Sequence, residues 1–180
     1  AGVAPKTADG IHFENVARVN GITLVQVSDQ AKIYGKVFGG GDMANVGPQN
    51  ENPDYTIQPI SETKIDPNSG VIDTETRYAA SKYRTLVNIL GGDIYGSVYG
   101  GGKGLPKAQA ASYEKVGRIN GNTIVHIANT DITQTIALDY NGNNVPYVWG
   151  NIYGGCAYGT VDGNTLVHIE GGMLGKSVFG

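Results

Sequence analysis

Short clusters of alternating apolar and polar residues recur along the chain. One five-residue pattern, a threonine followed by apolar residues around one polar position, occurs at 23–27, 85–89, 123–127 and 165–169. Every second residue of a β-strand shares one face, so each segment is predicted to be a short strand with a buried face. We expect the central valines of the four strands to point inward and to stack on one another. These valines are Val25, Val87, Val125 and Val167.

A second, glycine-rich element follows each of these segments. It reads IYGKVFGGG at 33–41, IYGSVYGGG at 94–102, VWGNIYGGC at 148–156 and LGKSVFG at 174–180. Thr85 and Val98 are 13 residues apart, as are Thr165 and Val178, so the two elements belong to one repeat. A third element precedes the threonine at 115–122 and 157–164, and an uninterrupted repeat therefore spans about 157–180.

A repeat of this length predicts a stacked array of strands. One repeat cannot cover its own apolar face, so it must stack on the next at a strand spacing of about 4.8 Å. Glycine suits the sharp corners between strands because it adopts positive φ angles and allows close backbone approach. The sequence therefore predicts an all-β fold, a right-handed parallel β-helix (β-solenoid) with about four coils.

The uneven spacing of the threonines indicates insertions between the repeats. Successive threonines are 62, 38 and 42 residues apart, and we expect surface excursions at about 43–82, 103–114 and 128–147. Residues 1–180 are predicted to form a single β-solenoid fragment. Gly180 lies where the second repeat continues into Gly101 and Gly102, so we expect the chain to be cut from a longer repeat protein.

Composition and charge narrow the classes of protein. The 28 glycines show no every-third-residue period, which excludes a collagen helix. No run approaches the roughly 20 apolar residues of a membrane-spanning helix, so no membrane insertion is expected. A net charge of −3 gives no basic surface for nucleic acid. The first ten residues lack a signal-peptide pattern, so we expect any such peptide to have been removed or to lie upstream.

Two segments carry a resemblance to a known type of repeat. TLVNILGGDIYGSVYGGG at 85–102 and GNTLVHIEGGMLGKSVFG at 163–180, with their Asn-Gly corners, resemble glycine-rich β-helix repeats of large secreted or cell-surface adhesin-like proteins, particularly those of gut Bacteroidetes. The resemblance implies a secreted or cell-surface location and a non-enzymatic structural or adhesin-like role. It implies neighbouring repeats of the same chain as partners and carries over no catalytic residue.

An aromatic stripe is the main candidate for ligand binding. If Ile94 and Val98 point inward, then Tyr95 and Tyr99 point outward. Equivalent positions in the other repeats hold Tyr34, Phe38, Trp149, Tyr153 and Phe179. Exposed aromatic rings can stack on sugars, so the predicted ligand is a polysaccharide or host glycan. The predicted ligand-binding residues are Tyr34, Tyr95, Tyr99, Trp149 and Tyr153. Alternatively, the excursions cover the stripe, or the rings only stabilise the sheet.

Three other features suggest cation or phosphate binding. His126 and His168 occupy the same repeat position and could share a metal ion, but Asn88 and Gln26 continue their ladder and no aligned carboxylate joins them. Residues 139–144 echo half a calcium loop without its glycine or its final glutamate. GGGKG at 100–104 lacks the spacing of a phosphate-binding loop. We therefore predict no metal and no cofactor.

Enzymes built on β-helices provide the alternative function. Glycoside hydrolysis requires two carboxylates about 5–9.5 Å apart, whereas the acids here occupy non-equivalent repeat positions. Asp93 aligns with Met173, and Glu170 aligns with Leu90. No catalytic residue is predicted. A carbohydrate-active enzyme, either a polysaccharide lyase or a glycoside hydrolase, with catalytic residues in the excursions stays open as the second interpretation.

Overall fold

The fold is built from short β-strands. A computed structural model describes residues 17–48, 83–106, 116–128 and 145–180 in full, and residues 59–65 and 72–78 as backbone strands. These ranges contain fourteen strands and no helix. Within them, no helix is long and apolar enough to cross a membrane.

The four threonine-led segments form one parallel sheet. Its strands, in spatial order, are β1 (Thr23–Val27), β6 (Thr85–Ile89), β9 (Thr123–Ile127) and β12 (Thr165–Ile169). Each threonine pairs with the threonine of the next repeat, and the central valines pair in the same way. The predicted register of the first strand is thereby confirmed.

The glycine-rich element supplies two further parallel sheets, because a glycine corner divides it into two strands of two residues. One sheet contains β2 (Lys32–Ile33), β7 (Asp93–Ile94), β10 (Tyr147–Val148) and β13 (Met173–Leu174). The other contains β3 (Val37–Phe38), β8 (Val98–Tyr99), β11 (Ile152–Tyr153) and β14 (Val178–Phe179). Three stacked, parallel four-stranded sheets confirm the all-β class and are consistent with a parallel β-solenoid.

A fourth line of contacts runs beside the three sheets. Single parallel bridges join Val19 to Val46, Val46 to Ile119 and Ile119 to Val161. These residues belong to the third element of each repeat, which the sequence showed in only two repeats. The element is present in all four.

The apolar core lies between the sheets. Eight of its side chains are almost completely buried: Val87, Ile89, Ile94, Val98, Val125, Ile127, Val148 and Ile152. Val25 and Val167, in the outer strands, are partly buried and pack against this core. The four valines thus form the predicted inward ladder, whose central members are the most deeply buried.

Buried threonine hydroxyls link the two ends of a repeat. Thr85 donates to the carbonyl oxygen of Gly100 at 2.5 Å, and Thr123 donates to Gly154 at the same distance. Thr23 makes the equivalent bond to Gly39 at 2.6 Å. A buried hydroxyl is costly without a partner, so in the first three repeats the threonine is matched to the glycine that follows the last strand.

The predicted excursions are too wide, because the repeats extend into them. Residues 43–48 lie within a repeat, where Val46 is fully buried. Gly104 donates to the carbonyl oxygen of Asp42 at 2.7 Å, and Tyr147 begins β10. Alignment on the Thr-x-Val pattern could not reveal these residues because they lack it.

Part of the first excursion forms a separate hairpin. Strands β4 (Pro59–Ile65) and β5 (Ile72–Tyr78) pair antiparallel, from Pro59 with Tyr78 to Ile65 with Ile72. These strands were not predicted from the sequence. They form a two-stranded sheet of their own. Residues 49–58, 66–71, 79–82, 107–114 and 129–144 of the predicted excursions lie outside the described residues.

Candidate functional site

The outward aromatic residues form two rows, where the sequence analysis predicted a single stripe. The first ladder consists of Tyr34, Tyr95 and Trp149, each of which directly follows a strand of the β2–β13 sheet. The second ladder consists of Phe38, Tyr99, Tyr153 and Phe179, which lie within the strands of the β3–β14 sheet. A glycine corner between the strands separates the rows.

The first ladder is the more exposed of the two. Tyr34 and Tyr95 stack with ring centroids 5.0 Å apart and planes 4° from parallel. Tyr95 and Trp149 follow at 6.0 Å and 12°. The exposed fractions are 78% for Tyr34, 40% for Tyr95 and 41% for Trp149. Solvent, and therefore a ligand, can reach this row along its length.

The second ladder is regular and, apart from its last ring, half-buried. Its three centroid separations are 4.9, 4.8 and 5.0 Å, and no pair of planes differs by more than 9°. The side-chain amide of Asn151 donates to the hydroxyl of Tyr153 at 3.0 Å. The ring separation equals the strand spacing, so the rings continue the sheet as a side-chain stack.

The stacking limits what each ladder can contact. Neighbouring rings cover one another's faces, so along the length of a ladder mainly ring edges and tyrosine hydroxyls face outward. Face-on stacking of a sugar is therefore available only at the end of a row, as at Tyr34, while the flank offers hydrogen bonds and edge contacts. All five residues predicted to bind a ligand lie in these two ladders.

A polar cluster, separate from the aromatic ladders, contains the paired histidines. His126 on β9 is in register with His168 on β12, and their ring centroids are 5.5 Å apart. Glu170 directly follows β12, on the same face as His168. Its Oε2 lies 2.7 Å from His126 Nε2, and its Oε1 lies 3.8 Å from His168 Nε2. Two imidazoles and a carboxylate therefore converge.

Glu170 was not predicted from the sequence, because it has no equivalent acidic residue in the other repeats. The available signal was the spacing of two residues between His168 and Glu170, which places both side chains on one face of a strand. The statement that no aligned carboxylate joins the histidines is correct. A carboxylate at a different repeat position can nevertheless reach them, as Glu170 does.

The cluster is buried on one side and open on the other. The His126 side chain is 5% exposed, whereas His168 and Glu170 are each about one-third exposed. Asn88 pairs with His126 from the other side, on β6. Asn88 Oδ1 is buried and makes no hydrogen bond within the described part of the chain.

The only cysteine is held in its neutral form. Burial is the main cause that raises the pKa of the Cys156 thiol to about 12; a backbone hydrogen bond with Gly102 opposes the rise, and the negative charge of Asp162 contributes to it. Asp162 itself pairs with Arg118 at 2.7 Å. A thiol that remains protonated at neutral pH is a poor nucleophile.

Two further motifs of the sequence are GGGKG at 100–104 and the calcium-like segment at 139–144. Within GGGKG, Lys103 Nζ lies 2.8 Å from Asp42 Oδ1, and the Lys103 backbone N–H donates to Gly41. These groups serve contacts between repeats and are not arranged around a phosphate. The calcium-like segment 139–144 lies outside the described residues.

No protein-family model, no curated protein and no solved structure matches this chain.

Proposed function

We propose that the chain is a right-handed β-solenoid of about four coils and that it acts as a non-enzymatic structural or adhesin-like segment of a secreted or cell-surface protein. The observation that carries this proposal is the continuity of the parallel ladders through all four repeats. Because each repeat contacts mainly its neighbours, in-register ladders make a stiff, elongated module. Such a module suits a spacer or stalk.

The surface chemistry of the described residues supports a structural role. Asp42 pairs with Lys103, and Asp162 pairs with Arg118. Each pair joins consecutive repeats, and each of these two carboxylates faces a cation. Hydrolysis of glycosidic bonds instead uses two cooperating carboxylates.

Stacking on further repeats belongs to the same proposal. Strands β12, β13 and β14 lie at one end of their sheets, with β1, β2 and β3 at the other. Val178 and Phe179 on β14 are exposed there. Outer strands present backbone donors and acceptors, so neighbouring repeats of the same protein are the partners that would pair with them.

Immunolabelling of the source organism tests the surface location. An antibody raised against the purified chain is expected to label intact cells, or to detect the protein in the medium. Labelling that requires permeabilisation of the cells would contradict the proposal.

Incubation of the protein with a panel of polysaccharides addresses the enzymatic alternative, because release of soluble products would favour a lyase or hydrolase.

Glycan contact is a second candidate function, favoured by the exposure of the first ladder. Trp149 is the single tryptophan of the chain, so tryptophan fluorescence, excited selectively over that of tyrosine, reports on this row alone. A polysaccharide lying along the row is expected to change Trp149 fluorescence saturably, and Tyr34→Ala and Tyr95→Ala are expected to weaken binding by several-fold.

Tyr158 provides the matched control for this titration. It is 52% exposed and lies in neither ladder, so Tyr158→Ala should leave binding unchanged. Equal loss in Tyr158→Ala and Tyr95→Ala, or an unchanged titration in Tyr34→Ala and Tyr95→Ala, would contradict a binding role for the ladder.

A further inference from the structure

The His126, His168 and Glu170 cluster has the composition and spacing of a metal site. One ligand atom from each residue lies within 4.8 Å of the other two. His126 and His168 lie on two adjacent strands that are fixed in register over five residue pairs, and Glu170, directly after β12, donates its backbone N–H to the carbonyl oxygen of Ile127 at 2.8 Å. Their backbone positions are therefore set by the sheet before any ion binds. We propose that this cluster binds a divalent ion of the zinc class between the third and fourth repeats.

The donor set selects the class of ion. Imidazole nitrogen suits Zn²⁺ and its late transition-metal neighbours, whereas Ca²⁺ and Mg²⁺ prefer a shell of oxygen ligands. Two histidines and one glutamate form a known three-residue ligand set for Zn²⁺ that leaves a fourth position for water. The negative charge of Glu170 also offsets part of the charge of the ion.

The distances are compatible with that coordination. Zinc bonds of about 2.0–2.2 Å at a tetrahedral angle separate two ligand atoms by roughly 3.3 Å. The Glu170 oxygens lie 2.7 Å from His126 Nε2 and 3.8 Å from His168 Nε2, values on either side of that separation. An ion would take the place of the direct contact between His126 Nε2 and Glu170 Oε2. His168 and Glu170 are partly exposed, so their side chains can rotate to complete the site.

Asn88 gives a second, independent indication. Its buried Oδ1 lacks a hydrogen-bond donor within the described residues, and the residue lies one strand from His126 in register. Buried acceptors in native proteins generally have a partner, and a missing one points to an ion or a water. Histidine ligands usually donate their second ring N–H to an acceptor, a role that the Asn88 side chain can fill. The polar ladder thus supplies both ligands and support.

Calorimetric titration of the metal-free protein with ZnCl₂ tests the site. We expect saturable binding of one equivalent, with no comparable heat from CaCl₂ or MgCl₂. His168→Asn and Glu170→Gln are expected to weaken zinc binding by at least about tenfold. Asparagine is a conservative replacement here because Asn88 occupies the same repeat position. His126→Asn is expected to have the same effect but alters a buried residue.

Two controls separate this site from other potential ligands. His12 is the remaining histidine and Cys156 is the single cysteine, so His12→Asn and Cys156→Ser should bind zinc like the parent chain. In a second measurement, zinc is expected to raise the melting temperature of the parent and of both controls, but not that of Glu170→Gln.

Far-UV circular dichroism establishes that each variant is folded. If His126→Asn fails to fold, the two partly exposed positions, His168 and Glu170, decide the outcome. The proposal is overturned if no saturable zinc binding occurs, or if folded His168→Asn and Glu170→Gln bind zinc as tightly as the parent chain.

Discussion

Several glycines of the repeat are required by what lies next to them. A Cβ on Gly39 would collide with the carbonyl oxygen of Gly100, and a Cβ on Gly100 would collide with that of Gly154. Successive repeats therefore approach each other closely at Gly39 and Gly100, the residues that follow β3 and β8. The same carbonyls accept the threonine hydroxyls, so one position serves both close packing and hydrogen bonding.

Replacement of Gly100 by alanine should destabilise the fold. The new methyl group would overlap the Gly154 carbonyl oxygen and press on Val125 Cγ2 at 3.2 Å. Forcing a methyl group into a packed region costs about 1–3 kcal/mol, and we expect urea denaturation to show a loss of that size. Gly35→Ala is the control because nothing lies within 4 Å of its added methyl group. Equal stability of the two variants would refute this account of the glycines.

Cys156 should resist modification while the protein is folded. Burial, the charge of Asp162 and an opposing bond with Gly102 together set the pKa at about 12, compared with an ordinary value of 9.0. At pH 8 the thiolate fraction is then about a thousandfold lower than in the unfolded chain. We expect Ellman's reagent to react far more slowly with the native protein than with the urea-unfolded protein. Similar rates would show that the thiol is accessible and ionised.

The same shift predicts how stability depends on pH. Because the folded pKa is raised, the stability contributed by the neutral thiol is fully present below the unfolded pKa near 9. It is lost progressively as the pH rises from there through about 12. Cys156→Ser should remove this part of the alkaline decline.

At the scale of the strand, burial depends on the neighbouring repeats as well as on alternation. In β1 the side chains alternate between more and less buried, whereas all five residues of β9 are buried. On the outer face of β9, Ile124 packs in a small apolar cluster with Tyr83 and Leu86. A strand between two others buries both faces, which its own sequence cannot show.

Val125 and Leu24 allow a direct test of the inward face. Val125 is fully buried in the central ladder, while Leu24 on β1 is 57% exposed. Val125→Asp would place an unpaired charge in the core, and we expect it to abolish cooperative thermal unfolding measured by circular dichroism. Leu24→Asp should melt close to the parent protein. A normal melting curve for Val125→Asp would mean that the register of the core is wrong.

The sequence predicted those elements whose residues repeat, and it failed where a corner or a non-repeating residue mattered. Four matching threonines were sufficient for the register of β1, β6, β9 and β12. The aromatic residues were predicted to form a single row, because the alternation of inward and outward residues was assumed to continue from Tyr95 to Tyr99. The corner at Gly96 instead separates them into two rows. Glu170 was missed because no other repeat has an acidic residue at its position and because His126, one of its two partners, lies in the preceding repeat. Contacts across repeats between unlike residues leave no mark in an alignment.

At the scale of the whole molecule, one part of the predicted first insertion pairs separately from the repeats, and another part belongs to them. The β4–β5 hairpin pairs with itself and joins none of the three parallel sheets. Residues 43–48 are different, because Val46 bridges Val19 and Ile119 and is fully buried. The first insertion therefore begins only after the repeat has completed this contact.

Two deletions should distinguish these segments. Replacing residues 49–82 with a short Gly-Ser linker should retain the β-sheet signal and cooperative unfolding, because the closure entropy of a loop changes by only about 0.6 kcal/mol for each doubling of its length. Extending the deletion to residues 43–82 removes Val46 as well. Burying one valine side chain contributes about 1.5–3 kcal/mol, so the longer deletion should be less stable by at least that amount in urea denaturation. Loss of the β-sheet signal in the shorter deletion would show that residues 49–82 are part of the core. Equal stability of the two deletion variants would show that the bridge through Val46 contributes little to the fold.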